Sequence, residues 1–146
     1  MNLQIRNMKS DDFTDLYRLL SDSDVMRFLE PPFSKEQTSS FLKSAGLSES
    51  PLIYAVEAGE TFIGYVIFHD YDDRSIEIGW VLFPDYWGKG YATQLTAQMI
   101  EKAKELDKDL IIECVPEQIA TKHIAISHGF SYDGKRDSLD IYRYKH

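Results

Sequence analysis

The chain has one cysteine, five prolines and no long apolar run, and each shortage excludes something. Cys114 alone cannot form an intramolecular disulfide, which points to a reducing, cytoplasmic setting. Without roughly 18 consecutive apolar residues, no helical membrane span is expected. The opening MNLQIRNMKSDDF places acidic residues where a signal peptide needs an apolar stretch, so export is not expected either. Basic charge is also scarce. Sixteen Lys and Arg stand against 24 Asp and Glu, for a formal net charge of -8. A nucleic-acid partner, which normally leaves a basic patch in the sequence, is disfavoured on that ground. The acid excess serves solubility and is compatible with a cationic substrate. His123 and His128 are five apart on a helical stretch and, with Cys114, match no zinc spacing, so no metal is expected. A thiol in an apolar strand is ordinarily inert, which removes Cys114 as a nucleophile.

What is present reads as one domain over residues 1–146, unbroken by repeat, linker or low-complexity tract. Leu3 and Ile5 alternate as a strand. Ser10 is then expected to cap a helix whose Phe13, Leu16, Tyr17 and Leu20 share a face. A short helix is predicted over Val25–Leu29, stopped by Pro31-Pro32, and Ser34 with Gln37 has capping-box spacing for a third. Leu52–Val56, Thr61–His69 and Ser75–Phe83 form a predicted meander joined by polar turns, Glu57–Glu60 and Asp70–Arg74. After Pro84 the period lengthens: Tyr91, Leu95, Met99, Ala103 and Leu106 mark one face of a long helix. Leu110–Val115 is nearly continuous apolar sequence, as in a buried parallel strand. Ile119–His128 is a helix closed by Gly129, and strands follow near Phe130–Tyr132 and Leu139–Tyr144. The order implies an α/β fold with a mixed sheet, not a doubly wound one.

The densest information lies in Pro84-Asp85-Tyr86-Trp87-Gly88-Lys89-Gly90-Tyr91-Ala92-Thr93. This stretch leaves a strand, turns on two glycines and opens the long helix. A helix N-terminus offers unpaired N–H groups and a positive dipole end, which suits phosphate. Lys89 adds positive charge, and the small Ala92 leaves room against the first turn. The spacing is not a Walker A loop, and the dinucleotide pattern fails at Thr93, where a third glycine belongs.

The segment Glu77-Ile78-Gly79-Trp80-Val81-Leu82-Phe83 and the loop Trp87-Gly88-Lys89-Gly90-Tyr91-Ala92 resemble the acetyl-CoA signature of the GNAT superfamily of N-acetyltransferases. Trp87 departs from the Arg or Gln usual at the loop's first position and is similar to the ribosomal-protein (Rim-type) branch. The likeness extends over Pro116–Thr121, His128-Gly129-Phe130 and the opening helix. It implies a three-layer sandwich with a mixed, mostly antiparallel sheet and a splayed central strand pair. It implies acetyl-CoA as co-substrate, with a pantetheine arm against the backbone of Val81 and Leu82. The diphosphate then belongs on Gly88, Lys89, Gly90, Tyr91, Ala92 and Thr93, with Gln118, where asparagine is usual, as a further contact. The implied acceptor is a primary amine, on a small molecule or a protein N-terminus, and a homodimer is left open.

Acetyl transfer needs a neutral amine, whose ordinary pKa is about 10.4, so a base must take a proton. Glu77 is the candidate, since a carboxylate on a central strand is partly desolvated and its proton affinity rises. The tyrosine that often reprotonates the thiolate in this family is replaced by Ala125, and neither Ser127 nor water has a clear claim. That gap leaves a non-catalytic CoA-binding sensor as the alternative. Phe28, Tyr65 and Trp80 are candidates to wall an acceptor pocket, with core packing the simpler role for each.

Overall fold

The computed structural model describes residues 2–146. In chain order the elements are β1 (Leu3–Arg6), α1 (Phe13–Leu20), α2 (Lys35–Phe41), β2 (Ile53–Ala58), β3 (Thr61–Asp70), β4 (Ser75–Leu82), α3 (Tyr91–Glu105), β5 (Asp109–Cys114), α4 (Ile119–Ser127), β6 (Ser131–Arg136) and β7 (Leu139–Tyr144). The strands follow the order β1-β2-β3-β4-β5-β7-β6 in a mixed sheet, the α/β arrangement expected. Two compact units divide the chain: residues up to Ile67 with Trp80–Tyr91, and Phe68–Gly79 with Ala92–His146. No helix among the described residues is long and apolar enough to cross a membrane.

In the first unit β1, β2 and β3 pair antiparallel, and Gly59 at φ 65 makes the two-residue turn between β2 and β3. The predicted turn at Glu57–Glu60 is therefore shorter, because Glu57 and Ala58 stay in β2 beyond a bulge at Val56/Glu57. Leu16, Leu19 and Leu20 of α1 are almost wholly buried against Ile53, Ala55, Tyr65 and Val81. Each such leucine stabilises the unit by about 2 kcal/mol. Ser34 and Gln37 bond reciprocally at the start of α2, the capping box the spacing predicts.

Two expectations fail here. Ser10 does not cap α1; it opens a 3-10 turn, Ser10–Asp12, and the buried Asp12 carboxylate accepts the Lys9 N–H at 2.7 Å instead. Val25–Leu29 is a run of turns and not a helix. The Asp22 carboxylate caps the N–H groups of Asp24 and Val25, and Met26 N bonds back to Asp22 O, but Pro31 leaves too little chain to extend this turn into a helix.

Gly64 has φ 153, and a Cβ there would run into the Val81 carbonyl and Leu82. Only glycine allows this approach of β3 to the end of β4, which the bond from Phe83 N to Ile63 O (3.0 Å) continues.

In the second unit β4 and β5 are parallel, with Ser75, Ile76 and Glu77 opposite Asp109, Leu110 and Ile111. Leu110, Ile111 and Ile112 are buried, as the apolar run implies. Leu95, Met99 and Ala103 line the buried face of α3, while Leu106 falls past the helix end and is exposed. Gly129, at φ 93, closes α4, and the Phe130 N–H bonds back to the Ala125 carbonyl. β6 runs to Arg136, longer than expected, because a turn at Asp137 and Ser138, both with positive φ, pairs it with β7 as a hairpin. The Asp72 carboxylate accepts from Arg74 N and Ser75 Oγ and so closes the β3–β4 turn.

Candidate functional site

The glycine turn lies in the first unit up to Tyr91. After Leu82, a 3-10 turn over Pro84–Tyr86 leads to Trp87, whose indole N–H donates to the Leu82 carbonyl at 2.9 Å. That bond ties the loop's first position to the end of β4. Gly88 and Gly90 have φ 70 and 83, conformations that cost other residues roughly 1–2 kcal/mol. A Cβ at either glycine would meet no atom within 4 Å beyond the adjoining residues. α3 begins at Tyr91, and the first N–H groups of a helix have no partner within it. Exposed backbone donors, uncrowded glycines and the nearby Lys89 together fit a phosphate group. Lys89 Nζ stands 5.8 Å from the Tyr86 ring, and the Tyr86 and Tyr91 rings are 5.9 Å apart. Val81 and Leu82 are buried at the end of β4.

Ala92 and Thr93 belong to the second unit. The Ala92 carbonyl accepts from Thr96 Oγ1 at 2.7 Å, and Thr93 is exposed. Gln118 precedes α4, and its Oε1 accepts the Val115 N–H at 2.9 Å, so half of its amide already shapes the β5–α4 turn. Ala125 is fully buried, and Ser127 donates to the Ile124 carbonyl. Burial pushes the Cys114 thiol up, consistent with an inert side chain.

Glu77 sits in β4 with its side chain 23% exposed and His69 Nε2 3.7 Å from its carboxylate. Burial, and then the charge of Glu113, push the Glu77 carboxyl up; His69 opposes this only in part. Tyr71, in the turn after β3, is pushed up by burial and by Glu113, and its hydroxyl accepts from Arg136 at 2.5 Å. The sequence alone points to Glu77 but to neither His69 nor Glu113. The available sign was the one charged residue interrupting an apolar strand, Glu113 between Ile112 and Cys114. Of the aromatic candidates, Tyr65 is a core residue, packed 6.0 Å from the Phe41 ring, with its hydroxyl pushed up by burial.

Comparison with known proteins gives this arrangement a family. The Bacillus subtilis (strain 168) protein YnaD, described as an uncharacterized N-acetyltransferase, is 32% identical over 139 residues, 90% of this chain and 81% of YnaD. A Bacillus anthracis acetyltransferase of the GNAT family has the same fold, with a TM-score of 0.83 and 28% identity over 99% of this chain and 93% of its own. The Vibrio cholerae spermidine N-acetyltransferase, solved with CoA and spermine, superposes with a TM-score of 0.79 at 20% identity, covering 97% and 92% of the two chains. Residues 2–131 match the acetyltransferase (GNAT) domain, and the chain belongs to that family.

Proposed function

We propose that this protein is an acetyl-CoA-dependent N-acetyltransferase in which a primary amine attacks the thioester directly and Glu77 takes the amine's proton. The observation that carries the reading is the half-buried Glu77 carboxyl, raised in proton affinity by burial and by Glu113, in the strand that leads into the glycine turn. A carboxylate of raised proton affinity competes better for an amine proton near neutral pH. Acetyl-CoA supplies the activated acetyl group. The N–H groups from Gly88 to Thr93 and the Lys89 ammonium hold its diphosphate, and the Val81 and Leu82 backbone receives the pantetheine arm. Gln118 is the remaining cofactor contact.

The acceptor divides into two readings. The Trp87-Gly88-Lys89-Gly90 loop favours the Rim-type branch and a protein N-terminal amine. The spermine bound by the Vibrio cholerae relative, together with this chain's net charge of -8, favours a polyamine. Membership in an enzyme family and the tuned Glu77 argue against a non-catalytic sensor.

Thermal unfolding with acetyl-CoA, CoA, ATP and NAD tests the cofactor half of the proposal. A ligand bound only by the native state at about a hundredfold excess over its Kd stabilises by roughly 2.7 kcal/mol. A rise in Tm with acetyl-CoA and CoA alone is expected, followed by CoA release with an N-terminal peptide or with spermine. No shift with either thioester or thiol defeats the reading.

A further inference from the structure

We propose that His69 is the relay through which Glu77 passes the amine's proton to solvent, a positioning residue that touches no substrate and acts only through the base. This rests on the reading of Glu77 as base. The two side chains are neighbours by strand register. Tyr71 N bonds to Ser75 O at one end of the β3–β4 hairpin and Phe83 N to Ile63 O at the other. The same register puts His69 across from Glu77, with both side chains on one face. His69 Nε2 lies 3.7 Å from Glu77 Oε1.

The other ring nitrogen decides what Nε2 can do. His69 Nδ1 lies 3.0 Å from the Asp70 carbonyl, which only accepts. In the neutral ring Nδ1 therefore carries the hydrogen, and Nε2 turns a bare lone pair to Glu77. A lone pair and an ionised carboxylate are both acceptors, and 3.7 Å is too long for a hydrogen bond. The resting pair is thus ionised Glu77 beside neutral His69, with no bond between them. A proton arriving on Glu77 supplies the missing donor, and Nε2 is placed to take it. The His69 side chain is 25% exposed, so the imidazolium can release that proton to water.

The other titratable and charged groups around the pair do not compete for this role. Glu113 of β5 acts on Glu77 through its charge, which together with burial makes the carboxyl hold its proton. The Tyr71 hydroxyl, in the turn after β3, already accepts from Arg136 of β6. Asp70 lies 4.0 Å from Lys108. Among the described residues no lysine or arginine ion-pairs with Glu77 or His69, so no fixed positive charge expels the proton in place of a base.

The acceptor enters as an ammonium. One N–H bond breaks as an O–H bond forms on Glu77; that bond breaks as an N–H bond forms on His69 Nε2. The imidazolium gives its proton to water, which leaves Glu77 ionised and His69 neutral again. The free amine then forms the C–N bond to the thioester carbonyl while the C–S bond breaks, and the proton that nitrogen sheds balances the CoA thiolate. One proton reaches solvent for each acetyl group transferred.

Isotope-labelled histidine gives the tautomer by NMR, the His69 signals being identified by their loss in His69→Gln. At about pH 9, where imidazole is neutral, Nδ1 is expected to carry the hydrogen. A ring with its hydrogen on Nε2 overturns the proposal, because that nitrogen could then not receive a proton. In turnover, read as CoA release with spermine or an N-terminal peptide, His69→Gln and His69→Ala lower kcat about tenfold, less than loss of the base, with KM for acetyl-CoA unchanged. Added imidazole restores His69→Ala but not the double variant Glu77→Gln/His69→Ala, and methylated imidazoles restore it in order of basicity. A purely structural role would not give that order. Wild-type kcat in both His69 variants, or no rescue of His69→Ala, means that Glu77 exchanges with water directly, and overturns the relay while leaving the base in place. Wild-type turnover by Glu77→Gln instead defeats the assignment of Glu77 as base, so the two failures are distinct.

Discussion

Asp12 in the first unit and Glu77 in the second are both carboxylates on largely buried ground, and their surroundings drive them in opposite directions. Burial pushes Asp12 up, but two Arg6 hydrogen bonds at 2.8 and 2.9 Å and the Lys9 N–H together outweigh it and hold the carboxyl below its usual range. Glu57 lies 3.2 Å from Arg6 Nε on its other side, so the guanidinium joins two acids. Glu77 has no such partner: its neighbours are another carboxyl and an imidazole. In the first cluster both acids share one guanidinium, which ties β1 to β2 and to the turn before α1. The second is left short of positive charge. A protein that placed the Arg6 arrangement around Glu77 would gain rigidity and lose a base, because a carboxylate with a depressed pKa takes no proton from an amine.

The largest effect that follows is on catalysis. Glu77→Gln lowers turnover about 10²- to 10⁴-fold, the range for losing a general base, while the thermal shift produced by acetyl-CoA stays at its wild-type size. Steady-state CoA release beside the melting curve separates the two. A variant that loses acetyl-CoA binding along with turnover would place Glu77 in the cofactor site and erase the contrast with Asp12.

Asp12→Asn gives the converse. It leaves Arg6 half-buried with its main partner neutral, and breaking such a pair costs about 3 kcal/mol. Urea unfolding should show that loss at pH 7, with kcat per folded molecule unchanged. Loss of activity at full stability would mean that the first cluster is not merely structural.

How much of this contrast the sequence discloses depends on range. The glycine turn, the Ser34–Gln37 box and the meander are legible because each is written within a few residues, by a turn residue, a cap pair or a period of two. Leu110–Ile112 is legible for the same reason, since continuous apolar sequence implies burial on both faces. Val25–Leu29 misleads because it carries a capped helical start, Asp22 taking the N–H of Val25, that Pro31-Pro32 cuts off before a second turn can form. The neighbours of Glu77 are a harder case. Glu113 lies 36 positions away and meets Glu77 only through the parallel register, which no local pattern fixes, and His69 arrives by the β3–β4 turn. The base can be guessed from its strand, but what tunes it cannot.

The smallest effect is the most direct comparison of the two groups, the pH dependence of stability. Asp12 is depressed in the folded state, so its contribution is present above its ordinary pKa of 3.8 and is lost as pH falls through the lower folded value. Glu77 is raised, so the sign reverses. The unfolded chain releases this proton first, at about the ordinary 4.5, and stability falls as pH rises from there to the raised folded value, then levels. Glu77→Gln removes that fall. Its Tm should therefore match wild type below pH 4.5 and exceed it near neutrality, whereas Asp12→Asn should lie below wild type at neutrality and converge with it in acid. Melting curves of the three proteins across that range would show two lines departing from wild type in opposite senses. Parallel curves would mean that Glu77 is solvated like a surface acid, and with that the physical basis for choosing it as the base would be gone.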